Sequence, residues 1–285
     1  MIPELNIKRA QGKEEVLQIL SMGGYKIICG GTDLIVNLRK KDKVDYDLVD
    51  ISSVKELRYI REENGKICLG SGTTISDIIA SSLIENKAPL LRKSVENAGC
   101  LQVRNRASIG GNIVNASPAA DSVPALCVLD AEVSLASSKG RRVMKLEEFI
   151  TGAYRSAVAD DELLEEVSFS PLPEGATYSF IKLARRETLA ISRLNVALYL
   201  VIKDGVIEKA SISPGSVMPS PRRVGEAEEL LIGEKPSIEL FREVGKKVGE
   251  VMVEKSGVRW STEYKKPVIE VLVRRALSEA AGLKE

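Results

Sequence analysis

Short apolar runs with two different periodicities open the chain. Apolar positions three and four residues apart predict a helix over residues 12–22, which a glycine pair would end. The apolar runs Lys26–Cys29, Asp47–Ile51 and Leu57–Arg61 have the length of strands, and a short helix is predicted over residues 34–39. Helices and short strands therefore alternate from the beginning of the sequence.

The same alternation continues to residue 170. Lys66–Gly70 is predicted as a strand that ends in a glycine turn, and Ser76 is predicted to cap a helix over Asp77–Leu83. The other predicted elements are helices over residues 89–99 and 122–129, a hairpin of residues 132–136 and 141–145, and an edge strand over residues 162–170.

The segment Pro171–Gly175 is the best candidate for a domain boundary, because proline and glycine interrupt regular elements. After it, three apolar or alternating runs predict strands, and helical periodicity dominates the remainder. These elements are strands over residues 178–184, 195–203 and 206–213, and helices over residues 227–231, 238–254 and 264–281. A three-stranded sheet covered by helices is an α+β arrangement.

Charge and hydropathy narrow the possible partners. Lysine and arginine number 41 and aspartate and glutamate 40, so a net charge of +1 gives no support for a nucleic-acid or anionic-membrane partner. No apolar run approaches the roughly 18 residues of a membrane span, and the first residues lack the layout of a signal peptide. We therefore expect a cytoplasmic protein without a membrane span.

The composition also limits the chemistry that side chains can supply. The chain has no histidine, which excludes Ser-His-Asp and Cys-His catalysis and histidine metal sites. Its four cysteines form no Cys-x-x-Cys pair and match no zinc or iron–sulfur spacing, so no metal site is expected. An enzyme of this composition is expected to take its chemistry from a bound cofactor.

Two glycine pairs mark the candidate binding site. In the first stretch, Cys29-Gly30-Gly31-Thr32-Asp33-Leu34, an apolar run ends at the glycines and a short helix follows. In the second, Ser108-Ile109-Gly110-Gly111-Asn112, the pair lies between hydroxyl and amide residues, with Asp121 farther along. Glycine allows close approach to a ligand, and successive N–H groups can cradle an anion. Two such loops suit a pyrophosphate held from two sides.

A third glycine turn resembles a nucleotide fingerprint but does not complete it. Gly70-Ser71-Gly72 follows a predicted strand, yet Ile75 stands where a Rossmann motif requires its third glycine. Thr73 and Thr74 have two possible roles, contact with a cofactor or an ordinary tight turn.

Together the two loops resemble the FAD-binding loops of the flavoprotein (medium) subunit of molybdenum hydroxylases, the family of xanthine and carbon monoxide dehydrogenases. The likeness spans essentially the whole chain, including Lys182–Arg186 and Leu189–Arg193. It implies a two-part FAD-binding domain of the vanillyl-alcohol oxidase-like type over residues 1–174, with subdomains of about 1–54 and 55–174. A C-terminal α+β domain over residues 175–285 is implied to follow.

The resemblance also implies a function. Such a chain binds FAD and receives electrons from a small subunit that carries 2Fe–2S clusters. A separate large subunit binds the molybdenum–pterin cofactor and oxidises the substrate, and the acceptor is NAD+ or another compound. The segment Arg185-Arg186-Glu187 through Arg193 is most similar to xanthine dehydrogenase-type members. The alternatives are a stand-alone FAD oxidoreductase of the same fold and a non-enzymatic scaffold.

Residue roles carried over from the family concern FAD alone, and no residue of this chain is expected to be catalytic. Asp33 is expected to cap a helix or bind a hydroxyl, Asp121 to accept from FAD hydroxyls or cap a helix, and Lys182 to lie near the flavin or on a strand surface. Leu189 would gate access to the ring or pack between domains. The implied cofactor-binding residues are Cys29, Gly30, Gly31, Thr32, Asp33, Leu34, Ser108, Ile109, Gly110, Gly111, Asn112, Asp121, Leu164 and Lys182.

Overall fold

The N-terminal periodicity produces a small three-stranded parallel sheet. A computed structural model describes residues 2–186 and 189–284. Helix α1 (Lys13–Ser21) buries its apolar face, Val16, Leu17, Ile19 and Leu20, as the pattern predicts. The other elements, in the sheet order β1-β3-β2, are β1 (Ile7–Arg9), β2 (Tyr25–Ile28) and β3 (Asp47–Asp50), with helix α2 (Leu34–Leu38) after β2.

A five-stranded antiparallel sheet forms the second layer of this part of the chain. Its order is β4-β5-β10-β6-β7, and two shorter strands pair with each other beside it. The strands are β4 (Ile60–Glu63), β5 (Lys66–Gly70), β6 (Glu132–Ser137), β7 (Gly140–Lys145), β8 (Ile150–Gly152), β9 (Arg155–Ser156) and β10 (Leu163–Phe169).

Short helices connect these strands. The segment Lys55–Leu57 forms a single 3-10 turn before β4. The α-helices are α3 (Ile75–Ala80), α4 (Ser82–Lys87), α5 (Pro89–Val95), α6 (Leu101–Arg104), α7 (Ile109–Asn115), α8 (Ser122–Val128) and α9 (Leu146–Phe149). Every residue of α8 is buried, in agreement with its continuous apolar sequence.

The C-terminal part is a three-stranded antiparallel meander packed against two long helices. Its strands are β11 (Ala176–Leu183), β12 (Leu194–Lys203) and β13 (Val206–Gly215), and its helices are α10 (Gly225–Glu228), α11 (Ile238–Ser256) and α12 (Thr262–Ala281). Phe241, Val248 and Val273 are fully or almost fully buried in its core. The α+β fold class predicted from the sequence is confirmed.

The chain divides into two compact units, each assembled from three stretches. The first unit comprises Met1–Glu85, Gly99–Ala116 and Ala131–Ser170. The second comprises Asn86–Ala98, Ser117–Asp130 and Pro171–Glu285. Two internal stretches of the N-terminal half therefore belong with the C-terminal sheet and helices.

Three sequence predictions need correction. The strand predicted at the sheet edge is β10, which lies at the centre of its sheet between β5 and β6. The strand predicted over Leu57–Arg61 begins only at Ile60, after the 3-10 turn. Strand order depends on pairing between distant segments, which the local pattern does not contain.

The third correction concerns the start of α3. Thr74, not Ser76, is the capping residue: its hydroxyl accepts from the N–H of Asp77 at 3.1 Å. The Asp77 carboxylate accepts in return from the N–H of Thr74 at 3.0 Å. This reciprocal capping box satisfies two N–H groups, which is why the helix begins earlier than predicted.

Candidate functional site

The first glycine loop presents N–H groups without partners. It leaves β2 at Ile28, and Gly31 has a φ of 71°, a left-handed conformation that glycine adopts readily. Within the described residues, no hydrogen bond takes the N–H of Thr32, Asp33 or Leu34. Such N–H groups are strong donors, and a ligand that accepts hydrogen bonds would satisfy them.

Gly30 has a different task from Gly31. A methyl group added at Gly30 would overlap the carbonyl oxygen of Arg106 and lie 2.6 Å from its carbonyl carbon. The missing side chain therefore lets the first loop lie directly against the segment that leads into the second. Close packing of two backbones holds the loops together.

The second glycine loop is internally satisfied. Ser108 is the N-cap of α7, and its hydroxyl accepts from the N–H of Gly111 at 3.2 Å. The N–H of Ile109 bonds to the carbonyl of Thr73, and that of Gly110 to the carbonyl of Ser71, both at 2.9 Å. Hydrogen bonds to the neighbouring turn thus anchor the beginning of α7.

The two glycines of this second loop have different surroundings. A methyl group at Gly110 would lie 2.5 Å from the Cβ of Ser71, so Gly110 is required for packing. At Gly111 the same methyl would meet only the Ser108 hydroxyl, at 3.0 Å. The space beside Gly111 belongs to a cavity.

Both loops line one cavity of about 380 Å³ inside the first unit. Its walls also include Ser71, Glu162 and Leu164. Of the predicted site residues in this unit, Ile109 does not line it, because its side chain is fully buried. The predicted residues that do line it are Cys29, Gly30, Gly31, Thr32, Asp33, Leu34, Ser108, Gly110, Gly111, Asn112 and Leu164.

Two titratable groups in the cavity wall have shifted pKa values. Burial raises the pKa of the Cys29 thiol, while the Ser108 hydroxyl opposes the rise, so the thiol is neutral at pH 7. Hydrogen bonds from Arg142 lower the pKa of Glu162, because that guanidinium donates to both carboxylate oxygens, at 2.6 and 2.7 Å. Glu162 is therefore a fixed negative charge at neutral pH.

A buried polar cluster in the second unit contains the other two predicted site residues. Lys182 donates to one carboxylate oxygen of Asp121 at 2.6 Å. The other oxygen accepts from the Ser192 hydroxyl at 2.5 Å and from the Asn195 amide at 2.9 Å. Three donors neutralise and orient this carboxylate, whose side chain is only 6% exposed.

Comparison with known proteins identifies the family of this chain. Residues 3–172 match the family described as the FAD binding domain in molybdopterin dehydrogenase, and residues 179–280 match the CO dehydrogenase flavoprotein C-terminal domain. The chain belongs to the molybdenum hydroxylase flavoprotein family. It is thus an FAD-binding oxidoreductase subunit, as the sequence predicted.

Individual relatives agree with this assignment. The glyceraldehyde dehydrogenase medium chain of Sulfolobus acidocaldarius is 30% identical over 98% of this chain and 99% of its own length. The nicotinate dehydrogenase FAD-subunit of Eubacterium barkeri is 32% identical over 87% of this chain and 86% of its own. The carbon monoxide dehydrogenase structure from Hydrogenophaga pseudoflava has the same fold, with a TM-score of 0.92 at 24% identity and 99% of both chains covered.

The hydrogen bonds of four residues bear on the alternative roles predicted for them in this flavoprotein. Asp33 and Asp121 occupy N-cap positions, but neither side chain makes a capping hydrogen bond. The hydroxyl of Thr73 donates to the carbonyl of Tyr59 and accepts from its N–H, so it is used within the protein. Together with the capping bond of Thr74, this favours a structural turn over cofactor contact.

The described residues 184–186 and 189–193, between β11 and β12, belong to the segment with xanthine dehydrogenase-type resemblance. Leu189 has a φ of 52°, and its side chain is 54% exposed. Arg186 donates to the carbonyl of Leu189 at 2.5 and 3.1 Å. Glu187, named in that resemblance, and its neighbour Thr188 lie outside the described residues.

Three residues of interest were missed by sequence reasoning. Ser192 and Asn195 bind Asp121, but only tertiary contact brings them together, since they lie more than 70 positions away in the chain. Ser71 lines the cavity, and its signal was the unusual Gly-Ser-Gly turn before α3. Residues 2–186 and 189–284 contain neither a metal-binding cluster nor a helix long and apolar enough to span a membrane.

Proposed function

We propose that this chain transfers electrons from 2Fe–2S clusters of a small partner subunit, through FAD, to NAD+ in a xanthine dehydrogenase-like complex. A large molybdopterin-binding subunit would oxidise the substrate, and the complex would be cytoplasmic. The observation that carries the proposal is the cavity shared by both glycine loops. The relatives named as medium chain and FAD-subunit support a multi-subunit assembly.

The first loop would supply hydrogen-bond donors to the pyrophosphate of FAD. The N–H groups of Thr32, Asp33 and Leu34 are free of protein partners among the described residues, so binding an anion would replace no internal hydrogen bond. The second loop would contribute shape, since Gly111 leaves open the space into which a side chain would project. The amide of Asn112 and the backbone of Leu164 would add polar contacts from the cavity wall.

Asp121 and Lys182, which belong to the second unit, are assigned to FAD by the family resemblance, and this assignment is part of the proposal. An ionised carboxylate offers about four lone-pair sites. Three donors occupy Asp121, so capacity remains for one FAD hydroxyl. Lys182 would add positive charge that favours the reduced flavin. The division into an FAD-binding domain, residues 1–174 with subdomains of about 1–54 and 55–174, and a C-terminal domain, 175–285, is part of this proposal.

When bound, FAD supplies a group that accepts electrons one at a time and releases them in pairs. The chain would bind and orient the FAD. It has no histidine that could act as a general acid or base.

The first test is cofactor binding by the purified chain. We expect a flavin absorption spectrum, either as isolated or after adding FAD, with FAD identified by the mass of the released compound. A chain that retains no flavin after excess FAD is removed by gel filtration, while its circular dichroism shows a folded protein, would contradict the site assignment.

A second test addresses the acceptor and the assembly. The FAD-loaded chain is reduced anaerobically by dithionite, and the excess dithionite is removed. Adding NAD+ should then oxidise the reduced flavin and produce the near-ultraviolet absorbance of NADH. Reoxidation by a quinone alone would overturn NAD+ as the acceptor. The native protein should contain molybdenum and iron in fixed ratio to flavin, whereas a single-chain species with its own substrate turnover would favour a stand-alone FAD oxidoreductase.

A further inference from the structure

Ser71 is held rigidly at the wall of the cavity. Its N–H donates to the carbonyl of Glu165 in β10, and its carbonyl accepts from the N–H of Gly110 in α7, both at 2.9 Å. The residue is 4% exposed, so its backbone and side chain have little freedom. Ser71 is nevertheless one of the residues that line the cavity shared by both glycine loops.

The hydroxyl of Ser71 is buried and has no hydrogen-bond partner among the described residues. A buried hydroxyl without a partner destabilises the folded chain, and alanine would fill the position without that penalty. Thr73, two positions later in the same turn, uses its hydroxyl both as donor and as acceptor. The Thr73 hydroxyl is therefore bonded within the protein, whereas the Ser71 hydroxyl remains available to a bound ligand.

We propose that the Ser71 hydroxyl donates a hydrogen bond to a phosphate oxygen of bound FAD. The inference rests on the proposed function, because it assumes that the cavity receives the FAD pyrophosphate. The carbonyl of Ser71 is bonded to the N–H of Gly110, next to Gly111, so the residue belongs to the part of the cavity lining assigned to the phosphates. A hydrogen bond from a hydroxyl to a charged oxygen is stronger than one between neutral groups.

The test compares FAD affinity and apoprotein stability in Ser71→Ala. Flavin fluorescence titration should give about tenfold weaker FAD binding, the loss expected for one hydrogen bond to a charged group. The melting temperature of the apoprotein should be unchanged or raised, because the unpaired hydroxyl is gone. A purely structural serine would instead lower the melting temperature and leave the affinity unchanged, which would overturn the inference.

Ligand fragments locate the contact. In competition titrations against FAD, ADP should lose affinity for Ser71→Ala by about the same factor as FAD, since it retains the diphosphate. Riboflavin, which has no phosphate, should bind wild type and variant equally. A loss confined to riboflavin would contradict a phosphate contact.

The matched control is Ser94→Ala. Ser94 is also buried, but its hydroxyl donates to the carbonyl of Leu91 at 2.7 Å within its own helix. This variant should melt at a lower temperature and bind FAD normally. If the wild-type chain itself binds no FAD, the proposed function fails; if wild type and Ser71→Ala bind FAD equally, only this inference fails.

Discussion

The two glycine pairs look alike in the sequence but are used differently in the structure. After Gly30-Gly31, three consecutive N–H groups have no partner among the described residues. At Gly110-Gly111, both N–H groups are already bonded within the first unit. The first loop therefore presents donors, whereas the second presents a surface from which a side chain has been removed.

Within each pair, the first glycine is required for close packing. The second either takes a left-handed backbone conformation or leaves room beside the cavity. Gly30 and Gly110 would bring a methyl group into Arg106 and Ser71, respectively. Gly31 takes a left-handed φ, and Gly111 faces the cavity. A double glycine can therefore combine a structural position with a binding position, and substitutions at the two positions should have separate effects.

The largest expected effect is on stability, at the structural glycine of the first loop. Gly30→Ala should destabilise the folded chain by about 3 kcal/mol, because its methyl group collides with backbone rather than with a movable side chain. Urea denaturation followed by circular dichroism measures the change.

Gly12→Ala is the matched control for this substitution. Its methyl would meet only the Glu56 carboxylate, at an ordinary 3.5 Å, so the change should cost no more than the lost N-cap preference, about 1 kcal/mol. Equal stability of the Gly30 and Gly12 variants would remove the structural role assigned to Gly30.

The next effect is on binding, at the glycine that faces the cavity. Gly111→Val should fold, including its C-terminal domain, but lose FAD affinity by about 100-fold or more, equivalent to ~2.7 kcal/mol. The valine side chain would occupy space proposed for the phosphates. Equilibrium dialysis measures the affinity, and the thermal melt checks the fold.

Gly111→Ala tests whether the loss of FAD affinity depends on the size of the side chain at this position. Because its methyl is smaller and meets only the Ser108 hydroxyl, the loss of FAD affinity should be intermediate. Retained flavin in a soluble Gly111→Val protein would count against the second loop as part of the site.

A smaller effect is expected at Cys29, where the first loop meets the hydroxyl that caps the second. Burial raises the pKa of this thiol, so iodoacetamide should modify it slowly at pH 7. The reaction should accelerate only at a pH higher than the one at which an ordinary thiol reacts. FAD at about ten times its dissociation constant should slow the reaction roughly tenfold, since only the free fraction reacts. Peptide mass spectrometry measures both rates.

The direction of the pKa shift determines how the modification rate of Cys29 should depend on pH. A raised pKa means that less thiolate is present at a given pH, so the rate midpoint should lie above that of glutathione. A midpoint below it would indicate an activated thiol. Unchanged modification in saturating FAD would place Cys29 outside the binding cavity.

Local pattern predicted most elements because each has a strong periodic or turn signal. Helix α1 and the hairpin of β6 and β7 follow their predicted ranges within a few residues, as does the meander around Gly205. The prediction that β10 lies at the edge of its sheet was wrong: its neighbours β5 and β6 come from segments on either side of several helices. Pairing across such distances leaves no local signature.

The site divides in the same manner. Both glycine loops were identified from their residues, yet the hydrogen bonding of Asp121 by Lys182, Ser192 and Asn195 arises from tertiary folding. Asp121 stands at the N-cap position of α8 but makes no capping hydrogen bond, since its carboxylate accepts from those three side chains.

The sequence by itself determined the fold class and the two glycine loops, because backbone conformation at glycine and apolar periodicity act over a few residues. The family and the FAD cofactor came from the resemblance of those loops to a known family. Only the tertiary structure decided which loop offers free N–H groups and which glycines are required for packing. It also decided that the Ser71 hydroxyl is buried without a partner. Those properties depend on atoms contributed by segments far apart in the chain, and only folding brings those atoms within bonding distance.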